Sequence, residues 1–439
     1  MSAHLIELHD HAISVRSADA ELARSPGFAN IAGGTPVFGE AARLQARLHP
    51  REHFNQFWSQ LSLDPLAVKN KYFRHSADLA HRHLATLTDP LQIAGDTVIA
   101  VPGSYSRTQL AVLLGIVKQC AFAATGLVDQ ALLQAAGSPA DDCIIVDLQL
   151  HQAMLSSFRK TGGHLVKDRV VTVPFAGLLA LHEAWTGLIT DEFILQSRFD
   201  PLHTAETDQF VYDNLERWIA ATVANDSVQL EINLKGTMHQ ARLARVQFEE
   251  RVQPVFARIA KELAGLRGPD TAMHMRASQL QLPGLAQSIP GLLALDGAVL
   301  MEACLQHMDY IRRPSDKLQF ITRLPLAGRV SAPPPLPRMP THVLFNHRAL
   351  PLTPGRLVFG TPPAGLDRIR VLPLPVEDGF SGAVALVSTT QGVQLELHTK
   401  VAVTCNGLPA QSGQALVLGD TLQLGRGSKL RLIVVEPGA

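Results

Sequence analysis

Neither sign of charge is in surplus here: 39 basic side chains face 39 acidic ones across 439 residues, and no long stretch is dominated by one sign. A nucleic-acid binder carries a basic excess on at least one domain, so DNA or RNA is not expected as a partner. Cysteine is sparse. Cys120, Cys143, Cys304 and Cys405 lie far apart, form no CxxC pair and read as small apolar fillers in a reducing compartment. Long hydrophobic runs are missing too. The most apolar stretches, such as Val98 to Val101 and Phe175 to Leu181, are far shorter than the ~20 residues that span a bilayer, so membrane insertion is not expected. Met1-Ser2-Ala3-His4 has no basic stretch followed by an apolar one, so no secretory leader is expected and the cytoplasm is the default location.

What is present is globular composition, with 46% apolar and 18% charged residues, in a chain long enough for two or three domains. Leu5, Ile6 and Leu8, then Ile13 and Val15, predict two strands around a tight turn at His9 to His11. Val37-Phe38-Gly39 before Glu40 to Leu48 reads as a strand end entering a helix. Thr97 to Val101 is a short β run stopped by Pro102-Gly103, and Ser106 is placed to cap a helix from Arg107 to about Cys120. Cys143 to Leu148 is another buried strand. Beyond Thr207 the spacing is mostly helical, over Asn214 to Ala224, Arg245 to Leu263 and Ala294 to Met308, with a strand at Val228 to Leu234. Strands alternating with helices predict an α/β fold.

The composition then changes. Seven prolines fall between Pro314 and Pro340, including Pro333-Pro334-Pro335, which predicts a polyproline II linker over residues 313–341. From His342 to Ala439 short apolar runs alternate with turn pairs such as Asn406-Gly407 and Gly419-Asp420, the pattern of a β-sandwich.

Four segments of the first part, in order, resemble the nucleotide-binding domain of the seventy-kilodalton heat-shock chaperones over roughly residues 4 to 312. Val98-Ile99-Ala100-Val101-Pro102 with Ser106 to Gln109 is similar to the family's strand-to-helix segment, and Cys143 to Leu148 to its V-F-D-L strand. Arg245 to Glu249 resembles its R-x-x-F-E helix start, and Leu282-Pro283 with Ala298-Val299 its R-I-P … A-V-A stretch. The resemblance implies an actin-like fold, two lobes around a cleft in residues 1–312. In that fold two Gly-rich hairpins bring backbone N–H groups to the phosphates of ATP, and carboxylates position Mg²⁺. Here the D-x-G-T-T loop aligns with Glu7-Leu8-His9-Asp10-His11 and the D-L-G-G-G-T loop with Asp147-Leu148-Gln149-Leu150-His151-Gln152. The adenosine-site G-G pair aligns with Ala277-Ser278, and the E-P-T-A-A segment with Val128-Asp129-Gln130-Ala131-Leu132. Asp147 alone keeps a chemical role, as a cofactor contact if nucleotide binds. His9, Leu150 and His151 put bulk where phosphates would sit, so a lobe without ATP or Mg²⁺ is expected.

The C-terminal part, 342–439, resembles a forkhead-associated domain through Leu357 to Gly360, Thr404-Cys405-Asn406-Gly407 and Leu418 to Gly425. Its phosphothreonine readers are not kept. The family arginine is Thr361, the S-x-x-H histidine is Val384 after Ser381, and the recognition turn is Thr399-Lys400-Val401-Ala402. Without an Arg fork, a phosphate dianion finds no charge-assisted contacts.

His9-Asp10-His11 and His81-Arg82-His83 have a spacing that chelates zinc or copper on a strand, but no further ligand cluster lies nearby and HExxH is absent, so surface or capping roles are expected. Gly103-Ser104-Tyr105-Ser106-Arg107 lacks the nucleophile elbow, and Gly425-Arg426-Gly427-Ser428-Lys429 lacks Walker spacing and is expected to be a hairpin. The expectation is a non-catalytic scaffold or adaptor for protein partners in the cytoplasm, with no catalytic residues and no metal. The alternative is a weakly active ATP-dependent chaperone-like or actin-like ATPase. A small-molecule kinase of the same superfamily also needs the Gly-rich hairpins and ranks last.

Overall fold

The computed structural model describes residues 3–32, 35–68, 70–326, 340–346, 348–362, 369–374, 380–389, 392–425 and 427–435. Two compact units result, residues 1–332 and 333–439.

In the first unit, β1 (Ala3–Glu7), β2 (Ala12–Ser17) and β3 (Glu21–Pro26) form an antiparallel meander. A small sheet of β4 (Ala29–Asn30), β5 (Val37–Phe38) and β6 (His53–Phe54) follows, with the one-turn α1 (Glu40–Arg43). Helix α2 (Ser76–Thr88) leads to β7 (Asp96–Val101), and α3 (Arg107–Val117) to β8 (Ala124–Asp129). Both strands run parallel to β1. Then α4 (Gln130–Ala136) crosses to a second sheet that repeats the plan. Its meander is β9 (Asp142–Leu148), β10 (Gln152–Thr161) and β11 (His164–Pro174). Helices α5 (Leu178–Ser197) and α6 (Ala205–Ala224), the hairpin β12 (Ser227–Leu234) and β13 (Thr237–Ala244), and α7 (Arg245–Ala264) precede β14 (Ala272–Arg276) and β15 (Leu292–Leu295), which are parallel to β9. Finally β16 (Phe320–Ile321) extends the first sheet beyond β8, and β17 (Arg323–Pro325) extends the second beyond β11.

Both faces of the parallel strands are covered, which is why they read as unbroken apolar runs. Successive side chains point to opposite faces. On β7, Ile99 and Val101 pack under α2 and α3, while Val98 and Ala100 face the second sheet. On β9, Ile144, Val146 and Leu148 join α5, α6 and α7, while Cys143 and Ile145 face the first sheet. The inner layer between the sheets holds α4 and the helix Val299–Gln306.

Several expectations need correction. The first unit does not end at 312, because Phe320–Ile321 and Arg323–Pro325 pair with its two sheets. The alternating apolar residues of Leu318 to Leu326 were hidden by the prolines beyond them, and the remaining linker residues 327–339 lie outside the described residues. Ala294 to Met308 is not one helix. Leu292–Leu295 pairs with β14, and the helix starts only at Val299, after a turn in which Asp296 Oδ1 accepts the Ala298 N–H (2.8 Å). The helix expected over Glu40 to Leu48 is a single turn. Ser106 does cap α3, in a reciprocal box with Gln109.

The second unit is two sheets over one apolar core containing Val343, Phe359, Val384, Leu386, Leu395, Leu422 and Leu432. Among the described residues one sheet has six strands and the other five. Asn406 and Gly407 turn with positive φ of 53° and 84°. Asn406 Nδ2 donates to Asp420 Oδ1 (2.9 Å), and Asp420 Oδ2 accepts the Val417 N–H (2.8 Å), so the two turn pairs hold each other. Ser428–Ile433 closes the hairpin with Thr421–Leu424, and Arg426 lies outside the described residues. The strand Arg348–Pro351 stops before Leu352-Thr353-Pro354.

Candidate functional site

Alternation carries charges to the inner layer. Leu5 faces the second sheet, so Glu7, two residues on, does as well. Cys143, Ile145 and Asp147 follow the same rule on β9. On β14, Met273 and Met275 join the outer core, which leaves His274 and Arg276 facing inward. His274 Nε2 meets Ser138 Oγ (2.8 Å). The strands therefore end, just past their apolar residues, with two carboxylates and one guanidinium at the same depth.

They form one network. Arg276 Nη2 donates to Glu7 Oε1, and its Nε reaches Asp147 Oδ1 at 3.4 Å. Ser14 Oγ donates to Glu7 Oε2 (3.3 Å). His9 Nδ1 accepts the His11 N–H (3.2 Å), so the proton sits on Nε2, which lies 3.1 Å from both oxygens of Asp147. The last member is Asp10. Its Oδ1 accepts the Leu150 N–H (2.7 Å), so the turn after β1 supplies an acceptor to the turn after β9. Leu150 itself is buried against Phe28 and Ala42.

Burial alone would raise the Asp147 carboxyl, but His9 and Arg276 hold it well below the usual carboxylate range. Glu7 is likewise raised by burial and lowered further by Arg276. For His9 burial lowers and Asp147 raises the pKa, with a net rise, while the Nδ1 contact suits the neutral Nε2–H tautomer. Asp10 is raised by burial, with His9 opposing. Glu7, His9, Asp147 and Arg276 pair with one another, whereas Asp10 uses Oδ1 on the Leu150 N–H and leaves Oδ2 buried without a hydrogen-bond partner.

Beyond the network lies a cavity of about 430 Å³ within the first unit. The sequence-aligned Ala277 and Ser278 line it. His11 and His182 also line it and are uncharged, pushed by burial down to about 3 and about 4. Asp129 is elsewhere: it caps α4 through the Ala131 N–H and pairs with Lys167 Nζ (2.6 Å). His151 contacts the Asn55 carbonyl through Nε2 (3.0 Å). His83 accepts the Trp58 indole N–H on Nδ1 (3.0 Å) and so donates from Nε2 to Ser25 Oγ (2.7 Å), which leaves it no free ligand nitrogen. Among the described residues no group of three or more His, Cys, Asp or Glu is arranged to hold a metal ion. Sequence reading missed Arg276 and the roles of Glu7 and Asp10. The Met-His-Met-Arg alternation was the available sign.

At the end of the sandwich, the Thr361 N–H donates to the Gly382 carbonyl (2.9 Å). Thr399 Oγ1 donates to the Ser381 carbonyl (2.5 Å) and accepts the Val401 N–H (2.9 Å). Val384, at the position of the family's phosphate-reading histidine, is 0% exposed inside the strand Ala383–Thr389 and so belongs to the core. No helix among the described residues is long and apolar enough to cross a membrane. No family model and no curated protein matches this sequence.

Proposed function

We propose that the first unit is an actin-like lobe of the heat-shock-chaperone type that has exchanged nucleotide for its own side chains. On this reading the protein is a non-catalytic adaptor that holds protein partners in a cytoplasmic assembly. The paired sheets support the fold reading, since each runs from an antiparallel meander into parallel strands and the two first strands end at one cleft. One observation carries the functional reading. At the inner end of the cleft Arg276 and His9 are committed to Glu7 and Asp147, and the Leu150 amide to Asp10. A polyphosphate arriving there meets three carboxylates, and the donors described for Arg276 and His9 already have acceptors. Displacing the internal partners would leave buried charges unpaired, which costs several kcal/mol.

The competing reading, a weakly active ATPase, draws on the open cavity beside Ala277 and Ser278. Phosphate release from Mg-ATP by the full chain separates the two. The proposal expects a rate equal to buffer. Turnover that scales with protein concentration overturns it.

A further inference from the structure

Strand β11 outruns its outer neighbour. β10 pairs with it from His164 to Pro174, around a bulge at Asp168. On the other side β17 covers only His164 to Val166, with one further bond from the Lys167 N–H to the Thr322 carbonyl (3.4 Å). Among the described residues no strand pairs with the outer edge from Asp168 to Pro174.

Register decides which backbone groups this leaves. The Gln152 carbonyl accepts the Gln149 N–H (2.9 Å), so Gln152, Met154 and Ser156 direct their backbone groups to β9. Ala153, Leu155 and Ser157 turn theirs to β11, opposite Val173, Val171 and Arg169. The N–H and C=O of Val170 and Thr172 therefore point to the open edge. The Pro174 carbonyl points there too, and Arg258 Nη2 donates to it.

An open edge is a template for another strand, and charges, prolines and bulges blunt it. Here those devices stand at the two ends, in Asp168, Arg169 and Pro174, all exposed. Between them Val170-Val171-Thr172-Val173 is uncharged and β-branched throughout. Just past the edge, Phe175 is 79% exposed and holds a φ of 55°. That conformation is costly for a bulky side chain without a polar atom. Arg258 Nη1 braces it by donating to the Phe175 carbonyl (3.1 Å), and the Phe175 N–H donates to the His151 carbonyl (3.1 Å). A strained, exposed aromatic gains nothing for a chain alone and suits an anchor in a protein contact.

We infer that β11 pairs antiparallel with β11 of a second copy of this chain, about a two-fold axis at Val171. The edge complements itself in this register. Val170 of each copy faces the other copy's Thr172, so the outward N–H and C=O groups of both close on each other. Asp168 falls opposite Pro174, so the missing proline N–H meets the bulge, and pairing stops before β17 begins. The neighbouring registers fail. An axis at Val170 lays the other strand over Val166, which β17 occupies, and an axis at Thr172 sets Val170 against Pro174, which has no N–H to give. The pair closes on itself and goes no further than a dimer. It does not depend on what the cleft holds.

Sedimentation velocity of the full chain, from about 1 to about 200 µM, is expected to show monomer passing to dimer, as a contact smaller than the standard ~1,600 Å² implies. Amide hydrogen exchange of the unmodified chain identifies the edge. At the high end the Val170 and Thr172 amides should exchange at least about 10-fold more slowly than at the low end. The Val171 and Val173 amides, already bonded to β10, should not change. Thr172→Pro removes a donor that faces away from β10 and should weaken association at least about 10-fold, as should Phe175→Ser. A monomer throughout the range overturns the inference. So does a dimer whose Val170 and Thr172 amides exchange as in the monomer, or one that Thr172→Pro leaves unmoved. Should Thr172→Pro fail to fold, the exchange result on the unmodified chain decides.

Discussion

The inner end of the cleft and the loop end of the sandwich both stand where a resemblance implies an anion reader, and their side chains are satisfied in opposite ways. In the cleft, Glu7, His9, Asp147 and Arg276 fill the space with mutually satisfied charge. On the sandwich, Thr361 and Thr399 make short neutral hydrogen bonds to neighbouring backbone. Burial explains the difference. A buried cleft that gives up a ligand must satisfy its polar groups internally, because each orphan is expensive. An exposed loop can simply be hydrated. The cleft should therefore be the costly place to mutate and the loop end the tolerant one.

The largest effect is expected at Arg276. Arg276→Met leaves Glu7 and Asp147 buried without their cation and should cost about 3–5 kcal/mol in urea unfolding of the full chain. Adding Glu7→Gln and Asp147→Asn should recover most of it, since neutral groups of the same shape need no counter-charge. A triple variant no better than Arg276→Met would mean that packing, not charge, holds this region.

Next comes acid. The folded-state pKa of both Asp147 and Glu7 is depressed. Their contribution to stability is thus fully present above the ordinary carboxylate values of about 3.9 and 4.3 and is lost as pH falls through the folded values. Stability should drop below about pH 4, and Asp147→Asn should flatten that limb while lowering stability at neutral pH. An unchanged acid limb would show that these carboxylates titrate alike in folded and unfolded chains.

Asp10→Ala should cost about 1–3 kcal/mol by orphaning the buried Leu150 N–H. The smallest effect belongs to the sandwich. Thr399→Val removes two hydrogen bonds at an exposed turn and should cost about 1 kcal/mol or less. A cost at Thr399 equal to that at Asp10 would break the contrast.

How much of this was legible follows from where period-two patterns are clean. Thr97 to Val101 and Cys143 to Leu148 read correctly as buried strands because both faces are apolar. Leu292 to Leu295 did not: four apolar residues beside a helical stretch fit either element, and only pairing with β14 decides. Glu7, Asp10 and Asp147 were visible as residues that replace or keep loop positions. Their partner Arg276 is more than a hundred residues away from Asp147 and could be joined to it only by sheet order. Val384 misled for the converse reason, since a position aligned to a loop reader sits inside a strand whose neighbours are all core.

Mg-ATP binding to the full chain is the decisive measurement. Thermal unfolding at rising Mg-ATP, into the millimolar range, should show no increase in Tm. A rise corresponding to about 2.7 kcal/mol, the stabilisation a ligand gives at a hundred times its Kd, would contradict a cleft that carries its own charge.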